Sequence, residues 1–189
     1  MEPEQVLAEI EAEAPRQGWP IIGPGRGAIL DEVLESHRPS TILEVGTNVG
    51  YSAIRMARHL RGNQRLTCVE ISKDMAMKAG VNFEKAGLSE RIVVIAGDAL
   101  SVLPTLTTRF DMVFLDAVKG DYLCYLKAVE KLLHAGSVVV ADNVKTFPSE
   151  VEPYLDYVRK SGAYASSYRE GATAGGVERG DAVEISVRL

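Results

Sequence analysis

ILEVGTNVGYSAIRMA, residues 42–57, decides the fold. A short apolar run passes through Gly46 and Gly50 into a stretch whose apolar residues recur at spacings of three and four, so a buried strand leads directly into a helix. Gly46 lets the chain turn tightly and lets a ligand approach bare backbone. The helix starting near Gly50 points unpaired amides at that spot, with Tyr51 and Ser52 at its first positions.

The same rhythm extends outward in both directions. Apolar runs at Thr41 to Val45, Leu66 to Glu70, Ile92 to Ile95, Asp111 to Leu115 and Ser137 to Ala141 read as strands buried on both faces. Tyr51 to Arg61, Lys73 to Ala86, Ala99 to Leu106 and Tyr122 to Leu133 read as the helices between them. Right-handed crossovers make this an α/β fold, a doubly wound and mostly parallel sheet of the Rossmann-like kind. At the end of the chain Val183, Ile185, Val187 and Leu189 alternate with Glu184, Ser186 and Arg188, the period-two pattern of an antiparallel strand. Tyr164 to Tyr168 would pair with it, giving seven strands, and Glu150 to Lys160 would be the helix before them. Ahead of the first strand, Glu4 to Ala14 and Gly27 to His37 read as helices. They flank PRQGWPIIGPGRG, whose three prolines and four glycines mark a candidate lid. The expected organisation is one domain over residues 1–189, with helices and lid over 1–40 and the α/β core over 41–189.

At 189 residues, 46% hydrophobic and 25% charged, the chain suits one compact domain. Lys plus Arg number 21 against 26 Asp plus Glu, a net charge of −5 with no basic excess for nucleic acid. No apolar run approaches the ~20 residues of a membrane span. The acidic, amphipathic start MEPEQVLAEIEAEAP is unlike an export signal, so the expected location is the cytoplasm. Cys68 and Cys124 share no metal-ligand spacing with each other or with the histidines, and both read as reduced core residues.

The glycine turn has a partner downstream. The next strand ends in Glu70, 20 residues after Gly50, where a carboxylate can accept both hydroxyls of an adenosine ribose. GxGxxG, the dinucleotide spacing, is absent, and Glu44 on the strand before the turn would repel phosphates. S-adenosylmethionine has no phosphate and carries cationic groups, so it suits this turn. A tight strand-to-helix joint with a surface glutamate would look the same.

DMVFLD ends in Asp116, followed at a spacing of three by Lys119, and SVVVADN ends in Asp142 and Asn143. On neighbouring strands these ends lie ~5 Å apart. Two carboxylates and an amide oxygen, without His or Cys, suit a hard octahedral cation, and magnesium is the natural choice. The bland alternative is a helix cap at Asp116 and an Asx turn at Asp142 and Asn143.

The strings PSTILEVGTNVGYSAIRMARHL, DMVFLDAVKGDYL and VVVADNV resemble the metal-dependent S-adenosylmethionine O-methyltransferases, closest to the catechol O-methyltransferases, and the likeness covers nearly the whole chain. It implies Asp116, Asp142 and Asn143 as magnesium ligands and Lys119 as the base beside them. It further implies Glu70 as ribose acceptor with Ile71 beside it, and Glu44, Gly46, Tyr51 and Ser52 around the methionine portion. Asp98 and Ala99 would lie beside the adenosine, with Asp116 also reaching the cofactor. Lys119, Asn143 and Glu178 would face the substrate, and Trp19, Ile21 and Pro148 would wall its ring. The chain departs from the family at Ala117 and Val118, where the catechol enzymes carry bulkier residues, and at Ala99 and Leu100, which lack polar side chains for adenine. A membrane-anchoring extension found in some relatives is expected to be absent.

The other features read more simply. Arg55, Arg58 and Arg61 would form a solvated helix face, Tyr122, Tyr125 and Leu126 a core stripe, and His134 a helix end. Tyr164 and Tyr168 would pack the last strands. The expected function is magnesium-dependent methyl transfer to a hydroxyl of a small catechol-like aromatic diol, by a monomer or homodimer without nucleic-acid or membrane partners. A nicotinamide-dependent oxidoreductase and a non-catalytic cofactor-binding module are the alternatives.

Overall fold

The computed structural model describes residues 1–171 and 180–189. Seven strands form one sheet: β1 (Thr41–Val45), β2 (Arg65–Glu70), β3 (Ile92–Ala96), β4 (Phe110–Leu115), β5 (Leu133–Ala141), β6 (Tyr164–Glu170) and β7 (Ala182–Arg188). Their order is β3-β2-β1-β4-β5-β7-β6. The first five run parallel, and β7 is antiparallel to both β5 and β6. Helices α1 (Pro3–Gln17), α2 (Gly23–His37), α3 (Tyr51–Ala57), α4 (Lys73–Lys85), α5 (Ala99–Val102), α6 (Tyr122–Val129) and α7 (Pro148–Lys160) cover both faces.

Alternation along the strands builds the two apolar layers. Ile42, Met112, Phe114, Val138 and Val140 point into one layer with Val6, Leu7 and Ile10 of α1, Ile29, Leu30 and Val33 of α2, and Ile54 of α3. Leu43, Val45, Val113, Leu115 and Val139 point into the other with Tyr122 and Leu126 of α6 and Tyr154 of α7. The amino-terminal helices thus share the sheet's core. Between β1 and β4 the strand order reverses, and there the turns leaving the two strands diverge and open a crevice at their carboxyl ends.

Several local expectations are corrected. Helix α1 continues through Pro15 to Gln17 and is capped by Gly18 at φ 67°, while α2 begins at Gly23 with Pro24 in its first turn, so the irregular segment shrinks to residues 18–22. Ile22 in it is buried core, not a surface lid residue. Helix α3 stops at Ala57 instead of Arg61, and the stretches after α5 and α6 tighten into 3-10 turns. β5 starts at Leu133, so His134 is a strand residue bonded to Asp111. Arg55 and Arg58 do not form a solvated face: both donate to Asp31 Oδ2, at 2.7 and 2.6 Å, and tie α3 to α2. Cys68 is buried as expected, but Cys124 is exposed, and both are free thiols. Among the described residues, no helix is long and apolar enough to cross a membrane.

Candidate active site

A cleft of about 930 Å³ opens at the carboxyl ends of β1, β2, β4 and β5, within the size range of small-molecule sites. Its floor is the glycine turn. Gly46 adopts φ +89°, and a Cβ on it would stand 2.6 Å from the Asp116 carbonyl oxygen, so the turns after β1 and β4 touch backbone to backbone. Gly50 adopts φ +86° and packs under Phe83, whose ring a Cβ would meet at 2.4 Å. Both positions therefore exclude a side chain by space and by backbone conformation.

Glu70 holds this turn. One carboxylate oxygen accepts from the backbone amides of Thr47 and Asn48 at 3.1 and 2.8 Å, and the other accepts from Ser72 at 2.9 Å. The residue expected to meet a ribose is thus also a clamp on the loop beneath it. Glu44 stands elsewhere than the sequence reading puts it. It is fully buried and absent from the cleft wall, and it accepts a hydrogen bond from the Ser52 hydroxyl, which does face the cleft. Burial pushes its carboxyl up to about 7, against the pull of that hydrogen bond. Glu44 thus stands behind the cleft wall, in contact with Ser52, which lines it.

Tyr51 lines the cleft while its hydroxyl donates to Glu11 of α1 at 2.5 Å and accepts from Arg55 at 3.2 Å. Asp98 is spent on capping α5, accepting from the Leu100 and Ser101 amides and the Ser101 hydroxyl. It still borders the cleft together with Ala99 and Ile71.

Register brings the acidic ends together. Leu115 pairs with Ala141, so Asp116 and Asp142 leave adjacent strands side by side. Lys119 Nζ donates to Asp116 Oδ1 at 2.7 Å and stands 5.3 Å over the Tyr122 ring. Asp142 is 1% exposed, and neither of its carboxylate oxygens has a hydrogen-bond partner among the described residues. Burial and the neighbouring Asp116 charge push it up to about 7, and burial likewise raises Asp116 against the pull of Lys119. Asn143 takes φ 60°, a left-handed conformation that asparagine tolerates better than most residues. Its amide nitrogen donates to Asp181 Oδ2 at 2.8 Å, which leaves the amide oxygen for other partners.

Among the described residues, no three His, Cys, Asp or Glu side chains gather as a metal cluster. The donors at the strand ends are two carboxylates and one amide. Their oxygen-only chemistry fits a hard divalent cation, as do the Asp142 oxygens, which accept no hydrogen bond among the described residues, although Oδ1 lies 2.7 Å from Arg26 Nε.

Trp19 and Ile21 line the cleft. Pro148 does not reach it, because it opens α7, and Phe147 lines the cleft in its place. Glu178 lies outside the described residues. Ala117 and Val118 do border the cleft, and Val118 is largely exposed. Asp181 and Arg26 were not foreseen. Asp181 accepts from Asn143 and from the backbone of Lys145 and Thr146, and Arg26 contacts Asp142. The sequence signal for Asp181 was a lone acid opening the last alternating strand. Arg26 carried none, being one residue of a Gly- and Pro-rich run.

Residues 2–163 match the O-methyltransferase family, and the chain belongs to it. It is 35% identical over 175 residues to catechol O-methyltransferase from Bos taurus, a match that covers 88% of this chain and 64% of that protein. The chain therefore spans just under two thirds of that relative's length. The O-methyltransferase from Bacillus cereus, solved in complex with SAH, superposes with a TM-score of 0.86 at 25% identity, covering 98% of this chain and 91% of that one. TomG, an O-methyltransferase from Streptomyces achromogenes involved in tomaymycin synthesis and solved with SAM, gives a TM-score of 0.86 at 27% identity, covering 97% and 89%. Membership in this family leaves the nicotinamide-dependent oxidoreductase without support.

Proposed function

We propose that the protein transfers a methyl group from S-adenosylmethionine to one hydroxyl of a catechol-like aromatic diol, with magnesium at the strand ends, in the cytoplasm. The observation that carries this reading is the convergence, in one cleft, of the glycine turn after β1 with Asp116, Lys119, Asp142 and Asn143. The family and the SAH- and SAM-bound neighbours support the donor. The catechol-named relative supports the acceptor class.

Glu70 offers the remaining lone pairs of its carboxylate to the ribose hydroxyls, and Gly46 leaves bare backbone beside the methionine portion. Ile71, Asp98 and Ala99, which line the cleft, would border the adenosine, with Tyr51 and Ser52 at the helix start. Asp116, Asp142 and the Asn143 amide oxygen would hold magnesium, which supplies Lewis-acid chemistry toward the substrate oxygens when bound. Lys119 then serves as general base. To act it must leave Asp116 and be neutral, so that Nζ can take the proton from the attacking hydroxyl while the oxygen–carbon bond forms and the carbon–sulfur bond breaks. Trp19, Ile21 and Phe147 set the plane of the ring, which fixes the attack geometry.

The test is turnover of catechol with S-adenosylmethionine, with and without magnesium. Methylated product that depends on magnesium is expected. Undiminished turnover in chelator would remove the metal, and no turnover of any aromatic diol would remove the acceptor class.

A further inference from the structure

Arg26 sits in the first turns of α2 and is 8% exposed, although its side chain is the longest cation in the chain's repertoire. It enters the acidic end of β5. Its Nε lies 2.7 Å from Asp142 Oδ1, and its Nη1 lies 3.9 Å from Asp181 Oδ2. Gly171 closes the side chain in from outside, since a Cβ there would meet Arg26 Cγ at 2.5 Å. The guanidinium thus rests against the carboxylate that the proposed cation would also need.

Two features mark this as an exchangeable partnership. Buried arginine–carboxylate pairs gain most from paired N–H···O bonds, which help offset the desolvation of both charges. Here Arg26 Nε and Asp142 Oδ1 stand 2.7 Å apart without hydrogen-bond geometry, and among the described residues neither Asp142 oxygen accepts a hydrogen bond, so the contact lacks the paired bonds. The second feature is balance. Asp116, Asp142 and Asp181 face two cations, Arg26 and Lys119, and the cluster keeps one negative charge when all are ionised. With Lys119 protonated and donating to Asp116, as it stands before any proton transfer, exchanging the guanidinium for a divalent ion neutralises the cluster. Adding the ion beside the guanidinium overshoots it and sets two cations against one carboxylate.

We infer that Arg26 is a resident counter-cation of the metal site, which neutralises Asp142 until a divalent cation displaces it. This rests on the magnesium reading above. Occupancy of Asp142 by Arg26 lowers the apparent affinity for the metal by the fraction of time the site is free. Displacement also sends a charge back toward the start of α2, next to residues 18–22, which carry Trp19 and Ile21 at the cleft mouth.

Manganese tests this on the full chain, with free Mn²⁺ followed by electron paramagnetic resonance and no turnover involved. Arg26→Met is expected to bind Mn²⁺ about tenfold tighter than wild type or more, Arg26→Lys to stay near wild type, and Asp142→Asn to lose binding. Added Mn²⁺ should also raise the melting temperature of Arg26→Met further than that of wild type. Equal or weaker binding by Arg26→Met overturns the inference and makes Arg26 a permanent support of Asp142. Absence of binding in wild type and variant alike overturns the metal reading itself, and the counter-cation with it. Should Arg26→Met fold only when Mn²⁺ is present, that rescue supports displacement. If it folds under neither condition, the same tightening is required of Arg26→Gln, and its absence overturns the inference.

Discussion

The Asn143 side-chain nitrogen donates to Asp181 Oδ2 at 2.8 Å, joining the end of β5 to the start of β7 across 38 residues of sequence. Asp181 also accepts from the backbone amides of Lys145, Thr146 and Ala182. One carboxylate therefore orients a proposed ligand and holds the loop behind it. Asp181→Ala should destabilise the protein by roughly 1–3 kcal/mol, because three part-buried donors and the buried Ala182 amide lose their acceptor. It should also weaken Mn²⁺ binding by about 10- to 100-fold, the usual effect of losing an outer-shell partner. Urea unfolding without metal and a Mn²⁺ titration measure the two effects separately. Unchanged Mn²⁺ affinity would show that Asn143 keeps its orientation unaided.

Gly46→Ala should cost about 3 kcal/mol or more, since the new methyl meets the Asp116 carbonyl and the backbone at φ +89° is unfavourable for alanine. Because the clash pushes the turns after β1 and β4 apart, donor binding and metal binding should fall together. Calorimetric titration with S-adenosylmethionine and with Mn²⁺ would reveal a loss confined to one ligand, contrary to this coupling.

Glu44 makes stability depend on pH. Burial raises its carboxyl from 4.5 to about 7, so the folded state favours the protonated form. The stabilising contribution is complete below the unfolded value of 4.5 and is lost as pH rises through about 7. Glu44→Gln keeps an acceptor for Ser52 and cannot ionise. It should match wild type near pH 4.5 and exceed it by roughly 3 kcal/mol above pH 7 in ligand-free protein. Urea unfolding across that range checks the sign, and an advantage for the variant that shrinks with rising pH would contradict it.

Lys119→Met should lower kcat by about 10²- to 10⁴-fold at saturating magnesium while S-adenosylmethionine binds as before. Raising the pH should restore part of the rate by ionising the attacking hydroxyl without a base. Equal kcat for wild type and variant from pH 6 to 10 would remove Lys119 from proton transfer.

The order of elements was legible because parallel strands buried on both faces announce themselves as unbroken apolar runs, as 112–115 and 138–141 do. The antiparallel direction of the last strand was equally plain from its alternation, but the half-solvated face that alternation implies is not there: β7 lies between β5 and β6, and Glu184 and Ser186 are buried. Element ends were less so. Pro15 and Gly23 look like breakers, but at the last turn of α1 and the first turn of α2 they disturb few helical hydrogen bonds, so the loop between them was overestimated. In the site, the residues at strand ends could be read directly, because the pleat and register carry them to one place. Glu44 could not, since nothing in ILEVG tells which of two adjacent positions turns inward behind the cleft. Arg26 and Arg55 were hidden for another reason: their partners, Asp142 and Asp31, become neighbours only through tertiary packing.

The reversal of β7 bears on when the protein becomes competent during its synthesis. Five parallel strands and the cleft floor are complete once β5 has emerged, and Asp116, Asp142 and Asn143 are then already made. Asp181 follows 38 residues after Asn143, at the head of the one strand that must slide in beside β5 against the prevailing direction. A nascent chain would therefore form its glycine turn before the proposed cation-holding end has been locked, and maturation would finish with a single late strand insertion.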